Sequence, residues 1–584
     1  MKQFDNVRAH KPEGIEDRKA YIIGGGIAGL ASAVFLIDDC YVPGDNVTVY
    51  DQLPVMGGSM DGVKIGDGKY LCRGERELEP YMECLWYLGN KIPSLYTAGR
   101  TITEETVDVN KADRICAKAR IIEKRGQVWD GINRFKMSPK LAQRMLQMLT
   151  MPEDEMDGMT IEEFFGNTFE EFRMTPTWQC FHTMLAFKDY HSMIEMKRYM
   201  IRFIQFQPRM EVLDGILHTK YNEFDSLIDP ILHWLTEKGV HFVPNTTVTD
   251  LEMDADCTAV TRIVGVSDGS ALSVPVRAQD MVISTLGSMT QNSTYGDNTH
   301  PVQTNLSGEK GFFSVWEKLA AQNEKFGHPE KFAENVDKTK WMSAFVTVKD
   351  CKAFCAAIRE KYGYPKDSTT GAISILDSGW DISFVLYDKY FAGQAADEDI
   401  LWLDGLWGER NGNYIKKPMC DCTGEEVLQE FLYHLDMLDW YDKLIPHTYV
   451  SLAMMPYITS QFMPRSSKGD RPLVIPEGSR NYAFIGQYVE LEGDVVFTVE
   501  TSVRTAMMAA YGLTGIDRKV LPLYQGQYDL RWLVMCMKKM LETDEIKFSD
   551  LPPMNPLTMK KDVQGLLAFL NAMPSLSWDD KQLY

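Results

Sequence analysis

Residues 20–62 read AYIIGGGIAGLASAVFLIDDCYVPGDNVTVYDQLPVMGGSMDG and decide the fold. An apolar run at residues 21–23 enters a glycine-rich turn, and residues 30–37 follow with apolar side chains at helical spacing. This order predicts a strand, a tight turn and a helix whose free N–H groups can hold a pyrophosphate. A second strand, residues 46–50, ends in Asp51, where a carboxylate can accept hydrogen bonds from a ribose.

The glycines of this stretch indicate which dinucleotide is bound. Gly24 permits the turn, Gly26 lets the backbone approach a pyrophosphate, and Gly29 lets the helix pack closely on the strand. A second pair of glycines before Ser59 is typical of FAD proteins of the glutathione-reductase type, and nicotinamide-only folds usually lack it. The sequence therefore predicts FAD as the cofactor, with contacts from Gly24, Gly26, Ile27, Ala28, Gly29, Asp51, Gly57, Gly58 and Ser59.

Composition limits the classes of protein that remain. A chain of 584 residues is expected to form two to four domains. Its net charge of −21 argues against a nucleic-acid partner. The eleven cysteines show no metal-ligand spacing, so we expect no metal site. The polar first 19 residues do not resemble a signal peptide, which predicts a cytoplasmic protein.

The order of predicted elements gives an α/β fold. We expect an FAD-binding Rossmann-type domain of the glutathione-reductase kind, a mixed α+β substrate domain and a helical C-terminal region. Strands near residues 245 and 283 and at 482–486 return the chain to the first domain, and Asp494 follows as a further cofactor residue. The predicted ranges are 1–19 for a polar lead-in, 20–130, 236–290 and 456–520 for the FAD domain, 131–235 for a largely helical segment at the substrate site, 291–455 for the substrate domain and 521–584 for the C-terminal region.

The tail has an amphipathic pattern. Residues 559–572 carry Lys560 and Lys561 beside several apolar side chains. Such a helix could make peripheral contact with an anionic membrane. The alternative is docking on the protein's own body or on a second subunit.

The chain resembles the oleate hydratases, also called the myosin-cross-reactive antigen family, over most of its length. Eight stretches carry the resemblance in the same order: AYIIGGGIAGLASAVFLI, GGSMDG, RGERELE with ECLW, HSMIEMKRYMIRF, STLGSMT, CTGEEVLQEFLYHL, MPYITSQFMPR with GDRP, and FIGQYVELEGDVVFTVETSVRTA. The resemblance implies an FAD-dependent hydro-lyase and a homodimer. Its members add water across the cis double bond of an unsaturated fatty acid such as oleate or linoleate, giving a 10-hydroxy acid without net redox change of the flavin.

The resemblance also implies the catalytic residues. Glu77 corresponds to the glutamate that positions the water, and Tyr199 corresponds to the tyrosine that donates the proton. An isolated alkene is a very weak base, so protonation requires a poised water and stabilisation of the developing positive charge. From the sequence alone, a buried helix tyrosine is the favoured interpretation of Tyr199, and only the resemblance favours catalysis. Further residues are assigned to the cofactor site: Arg76, Val248, Ser284, Gly287 and Thr498.

Several positions depart from the family pattern. Glu75 stands where the family has a glycine in its arginine-glutamate loop. The family holds the fatty-acid carboxylate with a glutamine, a threonine, an asparagine and a histidine. Glu223 replaces the glutamine, and we align Phe384, Leu386 and Tyr390 with the other three. A hydrogen bond to a charged group contributes about 1.5–3 kcal/mol, so these changes would abolish ordinary carboxylate binding at that place.

The departures leave the substrate and the reaction open. A neutral or cationic head group, a shorter chain, or a carboxylate paired with Lys389 or Lys220 would each fit the substitutions. The same protonation followed by proton loss would give a double-bond isomerase. The pattern is also compatible with a flavin oxidoreductase of the amine-oxidase type and with a lipid-binding flavoprotein that has little catalysis.

Overall fold

The computed structural model describes residues 9–304, 310–547, 567–577 and 581. Its first sheet is built around Ala20–Ile23, a strand that is buried along its whole length. Five parallel strands form this sheet, in the spatial order Tyr482–Ile485, Met281–Thr285, Ala20–Ile23, Val47–Tyr50 and His241–Val243. The helix Ile27–Val34 follows the first strand and packs against Val499–Thr514. This arrangement confirms the predicted α/β fold with a Rossmann-type domain.

A second sheet has eight strands and is largely antiparallel. In spatial order they are Thr294–Gly296, Thr448–Met455, Trp341–Lys349, Glu398–Gly405, Ile382–Tyr387, Ile373–Ile375, Ile121–Glu123 and Gln127–Val128. Only the pair formed by Ile373–Ile375 and Ile121–Glu123 runs parallel within this sheet. Residues 121–128, which we expected in the first part of the FAD domain, therefore pair with the strands of the substrate domain.

Two small sheets complete the strands. The predicted strand near residue 245 is two strands, because Asn245 adopts a positive φ of 51° between them. His241–Val243 joins the parallel sheet. Thr246–Met253 instead belongs to an antiparallel sheet of three strands, in which the middle strand, Val260–Ser267, pairs with Thr246–Met253 on one side and with Ser270–Pro275 on the other. The remaining pair is Val63–Gly66 with Lys69–Leu71.

Between residues 131 and 235, the range that we expected to be a largely helical segment at the substrate site, the structure has helices joined by loops. The α-helices of the described ranges are Ile27–Val34, Glu83–Gly89, Ile102–Ala112, Pro139–Thr150, Ile161–Phe165, Phe169–Arg173, Pro176–Leu185, Met193–Arg202, Asp229–Glu237, Phe313–Ala320, Glu330–Ala333, Val336–Thr339, Ala353–Tyr362, Gly424–His434, Tyr441–Leu444, Val499–Thr514 and Leu530–Met540. None of the helices in the described ranges is long and apolar enough to cross a bilayer.

The predicted amphipathic tail is covered only in part. Residues 559–566, which include Lys560 and Lys561, lie outside the described residues, and residues 567–571 are helical. Asn571 ties this piece to the body, since its side-chain amide exchanges two hydrogen bonds with the backbone of Ile546. The described end of the tail therefore contacts the protein's own chain.

Candidate functional site

A long cleft runs along the carboxyl ends of the parallel strands. Nine of the predicted cofactor residues line it: Gly24, Gly26, Ile27, Ala28, Asp51, Gly58, Ser59, Val248 and Gly287. The cleft thus opens where the first strand gives way to its helix, which is where a dinucleotide binds in folds of this kind. The first N–H groups of the helix Ile27–Val34 have no partner within the helix and can bind a phosphate.

The glycines fit the close approaches that the backbone makes here. A Cβ on Gly29 would lie 1.9 Å from the carbonyl oxygen of Gly24, so only glycine permits this packing of helix on turn. Gly57 donates its N–H to the Gly25 carbonyl at 2.9 Å and joins the two glycine turns side by side. A Cβ on Gly58 would lie 2.9 Å from the Gly26 Cα. The residues present therefore form a cradle that fits a pyrophosphate.

Asp51 is fixed at the mouth of the first turn. Its Oδ2 accepts a hydrogen bond from the Gly25 N–H at 2.6 Å, and its Oδ1 accepts one from the Leu53 N–H at 2.7 Å. Burial raises the pKa of this carboxyl, and the two N–H donors act against that effect. Each oxygen keeps a lone pair for a further donor, so Asp51 can still receive a ribose hydroxyl.

Some predicted cofactor residues lie away from the cleft wall. Ser284 is buried within its strand, where its hydroxyl donates to the Thr285 carbonyl. Asp494 is 1% exposed and lies in a buried ion network, 3.5 Å from the Nε of Arg202 and 3.4 Å from the Nε of Arg504. The structure thus uses Asp494 to hold two arginines, and its contact with a flavin stays a prediction.

The segment 73–79 connects the cleft to a second chamber. The Arg73 guanidinium is buried and donates to the Gly58 carbonyl, to Asp61 at 2.8 Å and to the Thr290 carbonyl at 3.4 Å. The Arg76 guanidinium donates to the Ser59 carbonyl at 3.4 Å. We call residues 73–79 the acid loop. Its two arginines attach it to the second glycine turn of the cleft.

The far side of the acid loop faces an apolar cavity. Acid-loop residues from Glu75 to Glu79 line one wall, and Thr498, which we predicted at the cofactor, lines another wall and caps the helix Val499–Thr514. The remaining lining is mostly apolar and includes Met82, Phe181, Met184, Leu185, Phe203, Phe206, Met210, Leu213, Ile216, Trp341, Trp402 and Phe497. Such a surface suits a long hydrocarbon chain.

Glu77 lies on this wall without a hydrogen-bond or ion-pair partner in the described ranges. Burial raises the pKa of Glu77 to about 7, and the positive charge of Arg120 acts in the opposite direction. Burial also raises the pKa of Glu75 well above its ordinary value, and the nearby charges of Glu77 and Glu223 add to this effect. The Glu77 carboxyl is therefore poised to exchange a proton near neutral pH.

Tyr199 is close to the cavity but is not part of its lining. The side chain is fully buried, and its ring packs edge-on against Phe187 and Phe462 at 5.1 and 5.4 Å. Its hydroxyl oxygen accepts a hydrogen bond from the Phe497 N–H at 2.7 Å. Because Phe497 lines the cavity, the Tyr199 hydroxyl lies directly behind the cavity wall.

The strand Ile382–Tyr387 corrects part of the predicted substrate site. Phe384 and Leu386 are 0% exposed and belong to the apolar core on the sheet face away from the cavity. Side chains alternate along a strand, so the face toward the cavity carries Ser383, Val385 and Tyr387. Phe384 and Leu386 therefore pack in the core behind the sheet and line neither this cavity nor the one beside it.

Glu223, Lys389 and Tyr390 do line a cavity, next to the first. Glu223 is 3% exposed, and its carboxylate accepts the Arg76 N–H at 2.9 Å and the Tyr390 hydroxyl at 3.3 Å. Lys389 is exposed and lies over the Tyr221 ring. These three predicted residues are therefore brought together with the acid loop.

Sequence reasoning missed several residues of the site. Gly486 and Gln487 line the cleft after the strand Tyr482–Ile485, and the position of a glycine after a strand was a usable signal. Asp404 lines the apolar cavity from within the strand Glu398–Gly405, and burial raises its pKa well above the ordinary value. Among the described residues, no cluster of three or more His, Cys, Asp or Glu side chains could hold a metal.

Comparisons with known proteins agree with this architecture. A model of the MCRA family matches residues 17–511. The oleate hydratase of Streptococcus pyogenes serotype M49 (strain NZ131) is 36% identical over 554 residues, which cover 93% of each chain. A linoleate hydratase of Lactiplantibacillus plantarum is 29% identical over 571 residues, 90% of this chain and 98% of that protein.

Among solved structures, wild-type putrescine oxidase bound to putrescine superposes with a TM-score of 0.50. The match covers 85% of this chain and 99% of that chain at 11% identity, and it supports the fold alone. The family model and the 36% identical relative span most of the chain. The chain therefore belongs to the MCRA family.

Proposed function

We propose that the protein is an FAD-dependent hydro-lyase that adds water across a cis double bond of a long-chain unsaturated fatty acid or a related lipid. The names of the two relatives, oleate hydratase and linoleate hydratase, support this reaction class. The observation that carries the proposal is the unpaired Glu77 carboxyl at the wall of an apolar cavity. From the family resemblance, we also propose that the protein is a cytoplasmic homodimer. From the amphipathic pattern of the tail, we propose that the tail makes peripheral contact with a membrane.

Glu77 acts as the base in this account. Its carboxylate accepts a proton from a water in the cavity as the water oxygen bonds to one alkene carbon. The other alkene carbon receives a proton from the Tyr199 hydroxyl, and the proton taken up by Glu77 afterwards restores the Tyr199 phenol, so the net change is the addition of one water. The negative charge of Glu77 also stabilises the developing cation, and the dry walls strengthen this attraction. Burial raises the pKa of Tyr199 well above its ordinary value, and the Phe497 N–H, which donates to the Tyr199 oxygen, acts against this effect.

FAD fits the cleft because the two glycine turns leave room for a pyrophosphate beside a helix start. When bound, the flavin supplies shape and charge beside the cavity without net redox change. Arg73 and Arg76 hold the acid loop against the turn that would carry the cofactor. The position of Glu77 then depends on the filled cleft.

Gly26→Val tests the cofactor site. Gly26 has φ −76° and ψ −179°, a conformation that valine adopts without strain. A Cβ there would lie 3.5 Å from the Gly58 Cα, and the two valine methyl groups would fill the gap between the glycine turns. We expect the FAD dissociation constant, measured by flavin fluorescence titration, to rise about tenfold or more. Gly393→Val is the control, since no atom lies within 4 Å of its Cβ position. Equal FAD affinity in both variants would contradict the assignment.

The reaction is tested with cis-9 lipids in heavy-oxygen water and mass spectrometry of the products. FAD-loaded protein should yield a product that has gained one labelled water. Glu77→Gln and Tyr199→Phe should each lower the rate by about a hundredfold or more, because each removes a proton-transfer group. Glu492→Gln, at an exposed carboxyl, is the matched control and should retain the rate. An isomerised product without the label would contradict the hydratase and would show that the protein is an isomerase.

The pH dependence provides a second test. Only the ionised form of Glu77 can accept the proton, and its folded-state pKa is raised to about 7. We therefore expect kcat/KM to fall about tenfold per pH unit as the pH drops below this pKa, and to level off above it. The residual kcat/KM of Glu77→Gln should not show this fall at low pH. A wild-type profile that stays flat from pH 8 to pH 5 would rule out Glu77 as the base.

A further inference from the structure

A second cavity lies beside the apolar one, and Glu75 lines both. It is bounded by Glu223 and by the segment from Tyr387 to Tyr390. Glu223, Tyr387 and Tyr390 are at most 4% exposed, whereas Asp388 and Lys389 are exposed. The cavity therefore has a buried inner end next to the acid loop and an outer rim at the surface. A lipid whose hydrocarbon chain lies in the apolar cavity would place its polar head group at the buried inner end of this second cavity.

The inner end carries two acidic side chains, Glu75 and Glu223, and the positive charge of Arg76 lowers the pKa of both against the effect of burial. The Glu75 carboxyl has no hydrogen-bond or ion-pair partner in the part of the chain that the structure describes. Arg76 offers Glu223 only its backbone N–H, since its guanidinium donates to the carbonyl oxygens of Glu75 and Ser59. The positive charge of Arg76 already acts on both Glu75 and Glu223, so a carboxylate brought to this end would compete with two acidic side chains for that charge.

A hydroxyl at the same place has an unused hydrogen-bonding capacity. Tyr387 is 4% exposed and lines the cavity, and its hydroxyl has no hydrogen-bond partner in the described ranges. Its ring centroid lies 4.1 Å from that of Tyr390, whose own hydroxyl donates to Glu223. A buried polar group without a partner is unusual and is typically satisfied by a ligand or an ordered water. The Tyr387 hydroxyl is thus available to a bound head group.

We propose that Glu75, Glu223 and Tyr387 form the head-group subsite, and that it binds an uncharged hydrogen-bond donor, a primary alcohol or primary amide at the end of the alkenyl chain. Such a head group donates to the Glu75 carboxyl and accepts from the Tyr387 hydroxyl, while Glu223 keeps its hydrogen bonds from Arg76 and Tyr390. Burial raises the pKa of Glu75 and of Glu223, which is consistent with a subsite of low net charge. A neutral ligand also avoids the desolvation of an ion. The inference rests on the proposed function, because that function places the alkenyl chain of the lipid in the apolar cavity.

The two lysines of the cavity occupy its outer part. Lys220 donates to the Tyr96 carbonyl and to the Thr97 hydroxyl, and its Nζ lies 3.6 Å from Glu105. Lys389 is exposed at the rim. A carboxylate could reach Lys389 only by leaving the buried inner end, so the two head-group positions are distinguishable by mutation.

The test compares binding of cis-9-octadecen-1-ol and oleate to the FAD-loaded full chain at pH 8, by calorimetry below the micellar concentration. The two ligands share the chain and differ in the head group. We expect the alcohol to bind at least about tenfold more tightly than oleate. Glu223→Gln removes one negative charge without changing the size of the side chain. It should reduce the ratio of the oleate dissociation constant to that of the alcohol about tenfold. Tyr387→Phe should weaken binding of the alcohol about fivefold and leave the affinity for oleate unchanged. Glu492→Gln should preserve the wild-type preference, and thermal unfolding of each variant reports whether it is folded.

Each outcome bears on the inference. Tighter binding of oleate than of the alcohol would overturn it, and loss of that oleate binding in Lys389→Ala would place the carboxylate at the rim instead. Equal effects of Tyr387→Phe on both ligands would remove Tyr387 from the subsite. Tight binding of the alcohol without a labelled hydration product would support the subsite while contradicting the proposed function. Failure of the inference and failure of the proposed reaction are therefore separate results.

Discussion

Two arginine side chains hold the nucleotide cleft and the apolar cavity together. Arg73 and Arg76 donate to the carbonyl oxygens of Gly58 and Ser59, one residue apart in the second glycine turn. The turn is itself fixed to the first glycine turn by the hydrogen bond from Gly57 to Gly25. The acid loop is fixed at its other end, where Leu78 exchanges two backbone hydrogen bonds with Leu217. Glu77 lies between these anchors, so its position is determined by the geometry of the cleft.

The acid loop and Glu223 bring three carboxyl groups together, and the nearby charges of Arg76 and Arg120 do not offset the effect of burial on their pKa values. Burial raises the pKa of Glu75, Glu77 and Glu223, and the same loop supplies only one N–H donor to this group of acids, from Arg76 to Glu223. Such groups destabilise the folded state above their unfolded pKa, because ionisation is harder in the fold than in the open chain. Stability is thus lower at neutral pH than it would be with apolar residues here. Groups of this kind are concentrated at functional sites.

The strand, glycine-rich turn and helix of residues 20–34 were predictable from the sequence. Gly24, Gly26 and Asp51 obey a local rule, since a strand, a turn and a helix lie within one continuous segment. The strand Ile382–Tyr387 shows where this reasoning failed. Side chains alternate between the two faces of a strand, and Phe384 and Leu386 lie on the face that packs in the core behind the sheet. The apolar run itself contained no signal for the correct register.

Long-range contacts were also beyond the sequence pattern. Asp494 follows a late strand, as a flavin ligand would, yet its carboxylate pairs with Arg202 and Arg504 from distant helices. Tyr199 was identified by resemblance, but its place behind Phe497 depends on how the helix Met193–Arg202 packs. These features arise from tertiary packing, which a spacing rule within one segment does not describe.

The central claim is that the acid loop couples the cleft to the cavity. Hydrogen exchange of peptides covering residues 57–59 and 73–79, with and without FAD, tests it most directly. The account predicts slower exchange of both segments when FAD is added, and loss of the effect at residues 73–79 in Arg73→Ala with Arg76→Ala. Slower exchange at residues 57–59 with unchanged exchange at residues 73–79 in the wild type would contradict the coupling.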